Sequence, residues 1–219
     1  GDAKLGSRLS SRDDVLASQE VLSLLENDER HILITEYPWD KQGDIYYDNR
    51  VKQPIISKLN IFTGRKRKVD VLPHKRSSAL ATKDGQVLFM RWQDESGKYH
   101  AAYRDSNDSE WKNLGDAFSV AQNLIPRGLS EDEKFVYLSG FIGDEVIYTN
   151  FKLDLESGEY SEIFDSHATD IEQVLYDENG MPAVGITYPN KSEYVYAKEE
   201  SRTRKIHKLL ADAFGDQTV

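Results

Sequence analysis

A short pattern recurs along the chain: an acidic or amide turn followed at once by an apolar strand. It occurs as "LENDERHILITE" (25–36), "ATKDGQVLFMRW" (81–92), "LSEDEKFVYLSG" (129–140) and "YDENGMPAVGIT" (176–187). The last three copies align Asp84, Asp132 and Asn179 at spacings of 48 and 47 residues. In the first copy Asp28 lies 56 residues before Asp84, and the extra length falls in the loop 38–54. A period of this size indicates a repeat architecture.

Each copy predicts a unit of up to four antiparallel strands. The pairs Asp84-Gly85 and Asn179-Gly180 predict hairpins because such turns need a positive φ. Two later hairpins also match each other, "KLNIFTGRKRKV" (58–69) and "KLDLESGEYSEI" (152–163), and they supply the third and fourth strands of their units. The predicted units cover 20–73, 77–116, 124–165 and 170–199, after a lead-in segment 1–19.

Four-stranded units repeating at this period predict an all-β fold, a β-propeller of about four blade units. A β-sandwich also has closely spaced strands, but it does not predict the regular spacing. Four units could close as a small ring or form part of a seven- or eight-bladed propeller. The fourth unit is interrupted, which favours the larger ring. A part of a ring would expose blade faces, so we also expect self-association through them.

The last segment, 200–219, predicts a short amphipathic helix followed by the start of a further strand. Ile206, Leu209, Leu210 and Ala213 follow the i, i+3, i+4, i+7 spacing of one helix face. Ser201 is the predicted N-cap and Gly215 the predicted C-cap.

Composition excludes several classes of function. The net charge is −10 and the pI about 5.0, which argues against nucleic-acid binding because phosphate contacts need a basic face. The chain has no cysteine, so disulfides and thiolate metal sites are excluded. Its apolar runs are too short for a membrane span. We therefore interpret the chain as soluble, from the cytoplasm or the periplasm.

Catalytic and metal-binding patterns are scarce, and we predict no catalytic residue, cofactor or metal site. Ser139 precedes a glycine but lies inside a predicted strand, without the strand–turn–helix context of a hydrolase nucleophile. The five histidines are scattered without ligand spacing: His31, His74, His100, His167 and His207. A partial calcium-loop pattern (Asp105, Asn107, Ser109, Asp116) has Glu110 at the position that requires glycine. We interpret it as a polar hairpin tip.

Two segments are candidates for partner contact. Trp39, Tyr46 and Tyr47 fall in the long first-unit loop, the kind of insertion that leaves a propeller face and touches a partner. The alternative is that they pack under their own loop. The basic run "GRKRK" (64–68) could bind a polyanion, but on an exposed outer strand it is more simply an edge protected by charge.

The outer hairpins, together with "HILI", "DIYYDNR" and the helix "RKIHKLLADAFGDQTV", resemble the N-terminal β-propeller of the prolyl oligopeptidase family of serine peptidases, in particular its dipeptidyl- and acylaminoacyl-peptidase-like members. The resemblance covers most of 20–219. It implies a non-catalytic cap that admits short peptides to a C-terminal α/β-hydrolase domain of the same polypeptide. That domain is absent here, so no catalytic residue carries over. The alternative is a stand-alone propeller module that binds a protein or peptide.

Overall fold

The computed structural model of the protein describes residues 16–48, 50–114, 124–140, 149–164, 173–177, 182–187, 193–197 and 201–214. It divides the chain into two compact units, Gly1–Ala121 and Gln122–Val219. Strands make up almost all the regular structure, and one helix follows the last strand. Within the part of the chain that the structure describes, no helix is long and apolar enough to cross a membrane.

The first unit contains two four-stranded antiparallel sheets and a small two-stranded ribbon. The first sheet has the order β1-β2-β5-β6 and consists of β1 (Ala17–Ser23), β2 (His31–Pro38), β5 (Ile55–Asn60) and β6 (Lys66–Val71). The ribbon, β3 (Asp40–Gln42) and β4 (Ile45–Tyr47), is inserted between β2 and β5. The second sheet is a simple meander of β7 (Ser77–Ala81), β8 (Val87–Gln93), β9 (Tyr99–Tyr103) and β10 (Lys112–Asn113).

The second unit repeats the plan with one complete and one shorter sheet. The complete sheet orders β11 (Ile125–Leu129), β12 (Phe135–Gly140), β13 (Thr149–Asp154) and β14 (Tyr160–Glu162). The three-stranded sheet contains β15 (Gln173–Tyr176), β16 (Pro182–Thr187) and β17 (Glu193–Tyr196). In each four-stranded sheet the strands pair in chain order, once the inserted ribbon is left aside. This is the architecture of a propeller blade, so the predicted all-β blade fold is confirmed.

The strands of each hairpin pair in an antiparallel register. In the second sheet Phe89 pairs with Leu80 and with Tyr103, so β8 lies between two antiparallel neighbours. In the third sheet Leu153 pairs with Val136 and with Tyr160, which joins the predicted outer hairpin to the turn–strand pattern. The two hairpins that looked alike in sequence are therefore the third and fourth strands of two different blade sheets.

Two predicted boundaries differ from the structure. The lead-in segment 1–19 overlaps β1, which already begins at Ala17 and pairs with Pro38. The segment "ASQE" carries little apolar signal, and backbone pairing with β2 makes it a strand. The loop 38–54 is also wrong in part, because its first half forms the ribbon.

Each unit has its own buried apolar residues. In the first unit, residues from both four-stranded sheets form one cluster (Leu25, Leu33, Ile56, Leu72, Ala79, Val87, Met90 and Ala102). In the second unit the fully buried side chains include Phe151, Phe164, Leu138 and Leu153. The strand β2 is buried from Leu33 to Pro38 and β8 from Val87 to Met90, so both faces of these two strands are covered.

The helix, α1 (Arg202–Phe214), is also where the sequence predicts it. Ser201 is its N-cap, because its Oγ accepts a hydrogen bond from the backbone N–H of Arg204 at 3.1 Å. The predicted C-cap Gly215 and the final Gln-Thr-Val lie outside the described residues. On the predicted apolar face, Ile206, Leu209 and Leu210 are exposed at 46%, 68% and 38%, so this face packs against no core among the described residues.

Candidate functional site

The ribbon is formed by a tight turn between two very short strands. Asp40 pairs with Tyr47, Lys41 with Tyr46 and Gln42 with Ile45. Gly43 takes a φ of +64° at the first of the two loop positions, the position at which a type II′ hairpin turn requires glycine. Three-residue strands carry no readable alternation, which is why the sequence predicted a loop here.

The outer strand of the ribbon is apolar and accessible. Ile45, Tyr46 and Tyr47 are 59%, 43% and 42% exposed. Lys41 lies across the ribbon with its Nζ 5.5 Å from the centre of the Tyr46 ring. Within the described part of the chain the ribbon pairs with no other strand, so both of its edges offer unpaired backbone groups.

Side-chain hydrogen bonds hold the base of the ribbon. Trp39 donates from Nε1 to Ser18 Oγ at 2.9 Å, and Ser18 donates in turn to Asp48 Oδ2 at 2.5 Å. These three residues tie both ends of the ribbon to β1. Lys52 donates to the backbone oxygen of Trp39 at 2.6 Å. The ribbon is therefore attached to the first sheet by directed bonds.

Trp39 differs from the two tyrosines. Its side chain is half-buried at the base of the ribbon, as the packing alternative expected, whereas Tyr46 and Tyr47 extend into solvent. The sequence therefore grouped one supporting residue with two surface residues. Contact of any of the three with a partner stays a prediction.

Tyr37, two residues before Trp39, is buried and contacts Glu20 and Arg50. The Tyr37 hydroxyl donates to Glu20 Oε2 at 3.1 Å, and the Arg50 guanidinium lies 3.6 Å above the tyrosine ring. Arg50 also donates to Glu20 Oε1 at 3.3 Å. Burial, reinforced by the Glu20 carboxylate, raises the pKa of Tyr37 to about 12. Tyr37 is therefore a neutral hydrogen-bond donor at physiological pH and serves to fix Arg50.

A concave site of about 310 Å³ lies at this end of the first unit, and we call it the arginine pocket. Three of its lining side chains are arginines and one is a carboxylate; the full lining is Asp48, Arg50, Arg76, Ser77, Ser78, Arg91 and Gln93. Asp48 follows Tyr47 directly, so the pocket adjoins the ribbon. The pocket is positively charged in a protein whose net charge is −10.

Sequence reasoning did not find the arginine pocket. Arg50 follows the ribbon, Arg76 lies before β7 and Arg91 is in β8, so no local motif joins them. The fragment "DIYYDNR" contains Asp48 and Arg50, but in the sequence it indicates only the family resemblance.

The other candidate residues take structural roles. Ser139 is fully buried, accepts a hydrogen bond from Arg127 Nε at 2.9 Å and donates to Asn150 Oδ1 at 2.6 Å. The partners of its hydroxyl in these two bonds are Arg127 and Asn150, on the neighbouring strands β11 and β13, so the hydroxyl links three strands.

The calcium-loop residues are also used locally. Asn107 Oδ1 accepts from the backbone N–H of Val87 at 2.8 Å and from Arg104 at 3.0 Å. Asp116 lies outside the described residues. Among the residues that the structure describes, no three His, Cys, Asp or Glu side chains converge as a metal site would require.

The described histidines are each engaged by neighbours. His31 Nδ1 lies 2.8 Å from an oxygen of Asp28, and His100 Nε2 lies 2.8 Å from Asp94 Oδ2. His74 stacks on Trp92, and His207 contacts the hydroxyl of Tyr196. His167 lies outside the described residues.

The basic run forms the start of β6. Lys66 pairs with the buried Glu36 at 2.6 Å, which gives the first basic side chain of the strand a structural role. Arg67 and Lys68 are exposed on the outer strand. This is the edge-strand arrangement that the sequence favoured.

A larger groove of about 730 Å³ lies in the second unit. Its charged lining is mainly acidic (Glu131, Asp132, Glu162 and Asp177, against Lys152). Asp132 Oδ1 accepts from Ser130 Oγ at 2.7 Å, which explains the lowered pKa of this carboxyl. We place the candidate site on the ribbon and the arginine pocket, where accessible apolar groups and a cationic cavity adjoin each other.

No protein-family model matches the chain, and no curated protein matches it. Among solved structures, a crystal structure of TolB from Acinetobacter baumannii aligns with a TM-score of 0.47 and 11% sequence identity. The alignment covers 82% of this chain and 40% of TolB, so the chain spans less than half of that protein's length. The resemblance to prolyl oligopeptidase propellers stays a prediction.

Proposed function

We propose that the chain is a non-catalytic binding module that takes an extended protein or peptide segment on the ribbon. The observation that carries this proposal is the pair of free ribbon edges beside three accessible apolar side chains, Ile45, Tyr46 and Tyr47. An extended peptide can pair with a free strand edge through its backbone, while side-chain contacts supply selectivity.

The composition of the ribbon supports this use. Tyrosine is enriched where binding energy concentrates, because it offers a large contact area with few rotatable bonds and a polar tip. Tyr46 and Tyr47 are adjacent, so their side chains lie on opposite faces of the ribbon. A bound segment would meet one tyrosine whichever face it covers.

The rigid base of the ribbon also favours binding. A preformed binding strand loses less conformational entropy on association than a flexible loop does. The bonds from Trp39 to Ser18 and from Ser18 to Asp48 pre-position the strands in this way.

The experiment is selection of peptides from a random display library on the full chain. The variant Tyr46→Ser/Tyr47→Ser should lose the enriched peptides, with affinity reduced at least about tenfold, the size expected for hot-spot tyrosines. Phe62→Ser is the matched control, because Phe62 is 73% exposed at the tip of the β5–β6 hairpin and away from the ribbon. Equal affinity of the double variant and the parent would refute the ribbon as the binding surface.

We also propose a finer function, the substrate-gating cap of a prolyl oligopeptidase-like serine peptidase. It is favoured by the hairpin motifs, which form the strand pairs β5–β6 and β13–β14. The Ser139 hydroxyl is committed to Arg127 and Asn150, so hydrolysis would come from an α/β-hydrolase domain of the same polypeptide. Reading the gene beyond Val219 tests this: a G-x-S-x-G motif with later Asp and His supports the cap, and a stop codon refutes it.

A further inference from the structure

We propose that the arginine pocket binds the carboxylate of an acidic residue in the peptide that lies on the ribbon. This inference rests on the proposed function, and it adds the chemical class of the ligand. Guanidinium groups bind carboxylates through paired N–H donors, and a concave site with few counter-charges makes such binding stronger.

Charge is the first support. Three guanidiniums, from Arg50, Arg76 and Arg91, face one carboxylate, Asp48, in the lining of the pocket. Arg91 donates from Nε to Ser78 Oγ at 3.1 Å, which orients its guanidinium. Ser77 and Gln93 add neutral polar groups to the lining. The pocket therefore keeps a surplus of positive charge.

Arg76 is the exposed arginine of the pocket. Among the described residues it makes no ion pair. Arg50, by contrast, pairs with Glu20 at 3.3 Å and with Asp48 at 3.7 Å, and it stacks on Tyr37. Arg76 is thus the cation that a ligand can engage without displacing an existing partner.

Backbone geometry gives an independent indication. Arg50 and Arg76 have φ values of +54° and +51°, and the other positive-φ residues besides glycine among those described are Leu25 and Glu133. A side chain other than glycine is disfavoured in this region, and such strain concentrates at binding sites. Two of the three arginines in the pocket are therefore held in place at a conformational cost.

The position of the pocket matches a ligand on the ribbon. Asp48 lines the pocket; its Oδ1 lies 3.7 Å from Arg50 Nε, and its Oδ2 accepts the hydrogen bond from Ser18 at the base of the ribbon. A peptide that runs along β4 reaches this base. One acidic side chain or a terminal carboxylate would then meet Arg76.

Carboxylate fits the pocket better than phosphate. The Arg50–Glu20 pair shows that a guanidinium of this surface already binds a carboxylate. Asp48 in the lining would repel a dianion more strongly than a monoanion. Free phosphate binding is therefore an outcome that the test must distinguish.

The test titrates the full chain with capped tetraglutamate, capped tetraglutamine and inorganic phosphate, at low and at high salt. Tetraglutamate should bind at low salt, and Arg76→Ala should weaken it at least about tenfold, the loss expected for a charge-assisted hydrogen bond. Lys75→Ala is the matched control: it removes the same charge from the exposed neighbour that does not line the pocket, and should change affinity less than twofold.

Three results would overturn the proposal: equal weakening by Lys75→Ala and Arg76→Ala, equal binding of tetraglutamine, or binding of phosphate in place of tetraglutamate. Arg76→Gly repeats the test in a variant that relieves the backbone strain, and its thermal unfolding, compared with that of the parent, separates loss of binding from loss of folding. Tyr46→Ser/Tyr47→Ser separates this inference from the ribbon. If that variant keeps both its library peptides and its Arg76-dependent tetraglutamate binding, the ribbon proposal fails while the pocket stands.

Discussion

Arg104 donates from Nη2 to Asp70 Oδ2 across 2.5 Å, and this pair joins the first two blade sheets of the chain. Asp70 belongs to β6 of the first sheet, and Arg104 follows β9 of the second. Arg104 is only 4% exposed and also donates from Nε to the backbone oxygen of Val87 at 2.7 Å. Its guanidinium lies 4.3 Å from the centre of the Trp111 ring. A buried cation therefore has its partners on two sheets.

Removal of this cation should destabilise the first unit strongly. Arg104→Ala leaves the Asp70 carboxylate and the Val87 carbonyl without their donor, and breaking a buried pair costs about 3 kcal/mol or more. We expect the urea concentration at the unfolding midpoint to fall, while the dependence of the unfolding free energy on urea concentration stays unchanged.

The exposed ion pair of Lys112 with Asp105, at 2.9 Å, serves as the control. Lys112→Ala should lower the unfolding midpoint far less than Arg104→Ala does, because water screens the exposed pair. Similar decreases in the free energy of unfolding of both variants would show that the burial of Arg104 does not matter.

Because the backbone at Arg76 is strained, replacing this residue with glycine should raise stability while it weakens ligand binding. Arg76→Gly should raise the free energy of unfolding by about 1 kcal/mol, because glycine tolerates the φ of +51°. Arg76→Ala keeps a Cβ and should leave stability nearly unchanged. Thermal unfolding of the three proteins measures this difference. Lower stability of the glycine variant would mean that the arginine side chain contributes more than the strain costs.

Gly85 and Gly97 form a matched pair for a steric prediction. Both have positive φ, +87° and +89°, but a Cβ at Gly85 would lie 2.9 Å from Leu25 Cδ2, whereas at Gly97 its nearest neighbour is Gln93 Nε2 at 3.9 Å. Gly97→Ala should cost about 1 kcal/mol from backbone strain alone. Gly85→Ala should cost about 1 to 3 kcal/mol more, because the core around Leu25 must shift.

Chemical unfolding of both glycine variants measures the difference. The double variant Leu25→Ala/Gly85→Ala should show coupling between the two sites, since the shortened side chain removes the clash. Additive losses in the double variant would contradict the predicted contact.

The stacked rings around Trp92 predict a pH dependence. The ring centres of His74 and Trp92 lie 4.0 Å apart, and those of Trp92 and His100 lie 5.2 Å apart. Burial, followed by the charge of His100, lowers the pKa of His74. Because the folded state binds this proton less well than the unfolded chain does, stability falls as the pH drops below the unfolded value of about 6.5.

His74→Gln should remove this part of the pH dependence. Relative to the variant, the parent should lose unfolding free energy between pH 7 and pH 5. Asp94, which faces His100, acts at lower pH: the hydrogen bond from His100 holds the pKa of Asp94 well below its usual range, so its contribution is lost only below about pH 4. Parallel stability profiles for parent and variant from pH 7 to pH 5 would contradict the role of His74.

The elements that could be predicted from the sequence are those with local signals. The strand β8 (Val87–Gln93) and its turn at Asp84-Gly85 follow from an apolar run and from turn chemistry. The helix α1 follows from its apolar spacing and from the Ser201 N-cap. By contrast, β1 starts earlier than predicted because "ASQE" has no apolar pattern.

The candidate site was predicted only in part. The sequence indicates Tyr46 and Tyr47 because they fall in a long insertion of the kind that touches a partner, and both are exposed in the structure. That they lie on a paired ribbon depends on Gly43 and on the anchoring of Trp39 to β1. The arginine pocket was missed because its residues come from separate segments of the chain.

The sequence by itself therefore determined the repeated strands, their turns and the terminal helix, since each depends on residues that are neighbours along the chain. The tertiary structure decided which distant side chains meet: Arg104 with Asp70, and Arg50 with Arg76 and Arg91. Those contacts depend on how sheets pack and on a left-handed backbone at two arginines, and neither leaves a periodic signal in the sequence.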